Sequence, residues 1–347
     1  MPKNDKEKLK KLVRGIVLAQ GNVFVKELLR KHHITIGATK AEFEKNLIAA
    51  IDEDKLTEEQ FEEWLGEVEG WGDQHVYLYA VSRATAEDPA WRDPAKVLAR
   101  AKKARLGKYW EAKSSDAFPE ERTLTGIYLD DGCFRLVWHE GFPQWIYEED
   151  KNLPPRWEGL DYYEYRAYRQ RLKRSVMRFE YETGSGAAAL FMQIPWSKAD
   201  HAAAKDQVRM ILRHFLDVEA LEEMSLGRAI KALDRGTLTE KDREKSGVAS
   251  QASWFLSRKK DAYVRFGSTA AGVDYTRVDS VRKVREALPK SVRGDEGIFY
   301  FLRKKVRAKW SRGIKVQIYA PQKRIRIWHQ CSRSDVYKIV GRILRSL

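Results

Sequence analysis

The chain has 347 residues, 43% of them hydrophobic and 11% aromatic, enough apolar material for two or three cores and too much for a disordered chain. The two cysteines, Cys133 and Cys331, lie far apart, and no apolar run nears the ~18 residues of a bilayer span, which excludes a disulfide framework, a zinc ribbon and a membrane helix. The charged start "MPKNDKEKLKK" offers no secretory signal, so an intracellular protein is expected, in cytoplasm and nucleoid or in a nucleus.

Residues 1–72 read as a helical domain. Leu9, Leu12, Val13, Ile16 and Val17 follow helical spacing, a second helix is expected over about 23–31, and Thr39/Glu42 and Thr57/Gln60 form capping boxes before two more. From residue 73 to 234 the period becomes mixed. A strand "HVYLYAVS", a helix opened by Asp93-Pro94, and the hairpin "TLTGIYL–DDG–CFRLVWH" come first. A helix over "DYYEYRAYRQRLKR" follows, then the hairpin "SVMRFEYE–TGSG–AAALFMQIP", a helix capped by Ser197 and Asp200, and a helix over about 217–234. The polar run 235–250 reads as a linker. Residues 251–347 alternate again, with strands "AYVRFG" and "GIFYFLR", a helix "DSVRKVREAL", the hairpin "GIKVQIYAPQKRIRIWHQ" and a final helix from Ser334. The expected fold class is α+β, a helical bundle followed by two mixed modules. "GIYLDDGCFRLVWHE" and "QIYAPQKRIRIWHQ" share Ile-Tyr before the turn and Trp-His after it, and Ser-x-x-Asp recurs at 197 and 332, which suggests a duplication.

The charge is segregated. Residues 1–75 hold 12 Lys/Arg against 15 Asp/Glu, residues 76–247 hold 29 against 28, and residues 248–347 hold 24 against 7. The last segment therefore carries +17, more than the whole net charge of +15, a density that points to a polyanionic partner.

Within it, a turn at Ala320-Pro321-Gln322-Lys323 would pair Tyr319 with Arg324, Gln317 with Arg326 and Lys315 with Trp328, all on one face. Val316, Ile318, Ile325 and Ile327 fall on the other. Cations and rings on one face suit phosphates and bases. Arg258, Lys304, Lys305, Arg307 and Lys309 would extend this basic track. The plainer readings are a solvated sheet face with cross-strand Arg–Tyr pairs, or a polar face covered by a helix.

The stretch "FVKELLRKHHITIGATKAEFEKNLIAAI" (24–51) has an apolar helix with Glu27-Leu28, an extended link with Ile34, then Gly37, Thr39 and Lys40 before Phe43, Leu47 and Ile51. It resembles the SAP motif, a helix–extended–helix module whose members commonly bind DNA. The resemblance implies that Thr39 and Lys40, with Lys26, Arg30 and Lys31, face phosphates. Phe43 stands where the family usually has Leu, and Asn46 replaces a basic residue.

No phosphate loop, dinucleotide fingerprint or nucleophile elbow occurs. Asp93 with Glu111 and Lys113 is the one arrangement resembling a metal-dependent nuclease core, although Asp93 also reads as a helix cap. His32, His33, His139 and His329 lack partners at a recognisable spacing. No cofactor and no membrane association are expected. The leading expectation is a non-enzymatic nucleic-acid-binding protein, with DNA favoured over RNA. A scaffold whose acidic N-terminal bundle docks a protein partner stands second, and a nuclease third.

Overall fold

Helical spacing of apolar residues and capping side chains determine the N-terminal elements. In the computed structural model, which describes residues 3–17, 20–112, 118–193, 201–237, 241, 246–257, 262–268, 274–288, 291–301, 313–328 and 331–347, four helices come first: α1 (Lys3–Ile16), α2 (Asn22–Lys31), α3 (Lys40–Asp52) and α4 (Glu58–Val68). Leu9, Leu12, Val13, Ile16, Phe43, Leu47, Ile51, Phe61 and Leu65 are all buried, as their periodicity requires. The Thr57–Gln60 box closes reciprocally, at 3.0 and 3.3 Å. At α3 only half of the expected box forms: Thr39 accepts from the Glu42 N–H at 3.2 Å, while the Glu42 carboxylate accepts from Ala38 instead, at 2.6 Å.

The chain folds into two compact units. The first comprises residues 1–66, 113–125 and 138–176, and the second residues 67–112, 126–137 and 177–347. Beyond the helices, the first unit holds an antiparallel pair, β4 (Leu153–Glu158) and β5 (Asp161–Tyr165), with Trp157 opposite Tyr162. The helix expected over 161–174 is therefore absent, and β5 and the start of β6 (Tyr168–Glu182) stand there instead. Gly159, at φ +65°, turns the chain between Glu158 and Asp161, and aromatic residues then favour pairing over coiling.

The second unit is built on one large sheet, in the order β10–β9–β11–β12–β13–β1–β7–β6–β3–β2, with β8 also pairing β1. The strands of the sheet are β1 (Gln74–Val81), β2 (Thr123–Asp130), β3 (Cys133–Tyr147), β6, β7 (Ala187–Met192), β8 (Leu221–Glu223), β9 (Val248–Leu256), β10 (Tyr263–Gly267), β11 (Arg293–Phe301), β12 (Ile314–Tyr319) and β13 (Arg324–Ile327), of which β2, β3 and β6 each belong in part to the first unit. Asp131 and Gly132, at φ +49° and +72°, make the two-residue turn between β2 and β3. The helices are α5 (Arg83–Glu87), α6 (Pro94–Lys103), α7 (His201–Leu212), α8 (Gly227–Arg235), α9 (Asp279–Glu286) and α10 (Arg333–Leu344). Over 217–234 the expected single helix is a short 3-10 turn, β8 and then α8. Ser197 and Asp200, and much of 235–250, lie outside the described residues.

One face of this sheet carries the main core. Val76, Leu78, Phe191, Phe299, Phe301, Val316, Ile318, Ile325 and Ile327 meet Ile230 and Leu233 of α8 and Val336, Ile339 and Ile343 of α10. The helix α8 approaches β11 closely: a Cβ on Gly294 would lie 2.6 Å from Ile230 Cβ and 2.9 Å from the Gly227 carbonyl oxygen. Inside this core Asp234, fully buried, accepts from Ser253 at 3.0 Å, from Tyr275 and from the Arg285 guanidinium. It thereby ties α8, β9, the 275–277 turn and α9 together.

Candidate nucleic-acid interface

The β12–β13 hairpin has the register its sequence predicts. Gln317 stands opposite Arg326 and Tyr319 opposite Arg324, with residues 320–323 in the turn, and the Trp328 N–H bonds the Lys315 carbonyl at 3.0 Å. A period of two sends Val316, Ile318, Ile325 and Ile327 into the core, each 0% exposed. The other six side chains share the opposite face. Lys315, Tyr319, Arg324, Arg326 and Trp328 are half-buried there, and Gln317 is buried.

Cations and rings are interleaved on this face. The Arg326 guanidinium lies 3.5 Å from the Trp328 ring centre, the Lys315 ammonium 5.0 Å from it, and the Arg324 guanidinium 4.6 Å from the Tyr319 ring. Arg326 also approaches Asp73 at 3.7 Å. Burial lowers the pKa of Arg326 and raises that of the Tyr319 phenol. Gln317 donates to the Glu296 carboxylate and accepts from the Trp328 indole N–H at 3.2 Å.

The strand pairings carry the face across the sheet. One row runs Arg265, Trp254, Glu296, Tyr319, Arg324, and the next Ala252, Ile298, Gln317, Arg326, His75. A third runs Ala249, Tyr300, Lys315, with Trp328 beyond. The Arg265 guanidinium lies 4.6 Å from the Trp254 ring, and the Tyr300 hydroxyl donates to Gln251 at 3.1 Å. At the β1 side His75 stacks edge-on against His201, ring centres 4.6 Å apart. Burial, then His201, Arg324 and Arg326, push its pKa down to about 3, so it stays neutral near pH 7.

Trp254, Arg265, Glu296 and Tyr300 were not singled out by the sequence. The strand β9, "VASQASWFL", brings Trp254 onto the face, and its small residues Ala249, Ser250, Ala252 and Ser253 hide it from a reading based on β-branched and aromatic runs. The signal was the apolar end Trp254-Phe255-Leu256.

The other expected positions fall elsewhere. Arg258, Lys304, Lys305, Arg307, Lys309, Lys113 and His329 lie outside the described residues. Thr39 caps α3 at an exposed site, but the Lys40 ammonium turns inward to the Gln20 carbonyl at 2.7 Å, and burial lowers its pKa. Lys26 lies over the Phe43 ring at 5.6 Å, and Lys31 pairs with Glu63 at 3.2 Å. Asp93 caps α6 through the Ala95 N–H at 3.0 Å, and Glu111 is an exposed turn residue at φ +47°. Among the described residues no group of three His, Cys, Asp or Glu side chains is placed to hold a metal ion. His139 is buried, with its Nδ1 2.6 Å from the Thr125 hydroxyl.

In comparison with known proteins, no family model matches this sequence, and no curated protein matches it either.

Proposed function

We propose that this chain is a non-enzymatic nucleic-acid-binding protein, DNA in the first place, whose interface is the face of β9–β13 opposite the core. The observation that carries this reading is the three-row array itself, in which Arg265, Lys315, Arg324 and Arg326 each lie against a Trp or Tyr ring. Guanidinium and ammonium groups neutralise phosphates, and the rings and guanidinium planes stack with bases. The segment that supplies this face carries 24 Lys/Arg against 7 Asp/Glu, which would attract the polyanion from a distance. The SAP-like stretch favours DNA, and with Lys40 turned to the Gln20 carbonyl the contact it would add at the start of α3 is reduced to Thr39. The full-length chain with Arg324→Ala and Arg326→Ala together should bind labelled DNA at least tenfold more weakly than the parent, while retaining its circular-dichroism spectrum. Unchanged affinity would remove the face from the reading.

A second reading, a scaffold that docks a protein partner, is favoured not by the N-terminal bundle expected from the sequence but by the tip of β4–β5. There Trp157, Leu160 and Tyr162 are 68%, 97% and 55% exposed. Trp157→Ala with Leu160→Ser should leave DNA affinity unchanged under the leading reading, and a partner lost with that pair would support the scaffold.

A further inference from the structure

We infer that the β9–β13 face takes single-stranded rather than duplex nucleic acid, and that the Glu296 carboxylate selects bases bearing an exocyclic amino group. The inference rests on the nucleic-acid reading above and names its substrate class.

The rings decide the strandedness. Trp254 and Tyr319 stand in one row two strands apart, as do Tyr300 and Trp328 in another, which places members of each pair about 9.6 Å apart along the hydrogen-bonding direction. Rings at that separation do not stack on one another across the row. Separated rings can each take a separate base on a side that no cation covers, and a guanidinium or ammonium group lies by Trp254, Tyr319 and Trp328, with Lys315 opposite Tyr300 in the register. In a duplex the bases are stacked inward and their faces are closed to such rings. A strand with splayed bases uses the whole array, and a duplex uses only the cations.

The floor between the ring-bearing rows decides the base. Gln317 is 8% exposed, and both ends of its amide are occupied, the oxygen by the Trp328 N–H and the nitrogen by Glu296. A carboxylate accepts and cannot donate, so the amide orientation follows from chemistry. The amide holds one oxygen of the half-buried Glu296, and the carboxylate has a second with further acceptor capacity. An acceptor among Lys315, Arg324 and Arg326 works against phosphate at that point, but it suits an amino donor. Cytosine places its N4 amino group where thymine and uracil place the O4 acceptor. Glu296 should therefore favour cytosine over thymine or uracil by about tenfold, the size of one hydrogen bond to a charged acceptor.

The test uses the full-length chain with labelled oligo(dC), oligo(dT), their ribose counterparts and a mixed-sequence duplex, under mildly alkaline conditions that keep cytosine runs unpaired. Glu296→Gln is isosteric and keeps an acceptor for Gln317. The parent should bind single strands above duplex and oligo(dC) above oligo(dT), and the variant should lose the base preference while still binding. The ribose arms show whether the same chemistry is read on RNA. Tighter duplex binding, equal affinity for the two homopolymers, or a preference that survives in the variant would overturn the inference. If binding then still weakens with Arg324→Ala and Arg326→Ala, the broader reading stands. Absence of binding to every probe overturns both.

Discussion

Arg324 lies over the Tyr319 ring, and among the described residues its buried Nε has no hydrogen-bond partner. Arg324→Lys keeps the charge but loses the planar group that stacks and forks. Affinity for a single strand should fall severalfold with Lys and further with Ala, and equal loss in both would show that charge is not what Arg324 contributes. His75 makes a separate prediction about stability. Its pKa is about 3 in the folded chain against an ordinary 6.5, so the unfolded chain takes up the proton first as pH falls. Stability tied to this residue is complete above about pH 6.5 and declines toward pH 3, by at most about 1.4 kcal/mol per pH unit. Urea unfolding at about pH 7 and pH 5 should show a larger loss for the parent than for His75→Asn. Equal losses would mean that the imidazole titrates normally.

At the scale of elements, α8 is held against β11 by two features that a substitution can break. Gly294→Ala drives a methyl group against Ile230 and the Gly227 carbonyl, and should cost about 1–3 kcal/mol in urea unfolding with little change in binding. Asp234→Asn leaves the Arg285 guanidinium buried without its counter-charge, and should cost about 3–5 kcal/mol. A loss below 1 kcal/mol would show that Arg285 finds other partners. These elements also show what the sequence makes legible. The hairpin β12–β13 was readable to the register, because alternation and the Pro321 turn left one arrangement that buries four aliphatic side chains. Helical spacing read equally well at α1–α4, and the Thr57–Gln60 box formed whole, whereas at α3 only the Thr39 half formed. Tyrosine-rich 161–174 misled, since its charges suit a helix while its tyrosines and the Gly159 turn suit paired strands. The strand β9 was missed because its inward residues include Ser250 and Ser253, which serve Asp234 rather than an apolar core. Its absence hid Trp254 and the outer half of the interface.

For the whole molecule, the division of charge follows the division of structure. The first unit has 21 Lys/Arg and 22 Asp/Glu, the second 44 and 28, so the second carries +16. The sheet also places β7 and β13 on either side of β1, each followed by a helix, α7 and α10. The counterpart of β12–β13 about β1 is thus β6–β7, whereas the β2–β3 hairpin that shares its Trp-His signature lies at the far edge. A duplication, if traced through the helices, pairs β7 with β13. Among the described residues the rows of Arg265, Lys315, Arg324 and Arg326 against Trp and Tyr rings lie on the β13 side, while the β7 side has Arg178 over Trp71 and Lys205 over Tyr77. The most direct measurement is fluorescence anisotropy of the full-length chain with a labelled single strand across a salt series. Four face cations at about 0.7 ions released per phosphate contact predict a slope of log affinity against log salt of at least about −3. A flat dependence, or no binding at low salt, would contradict the account.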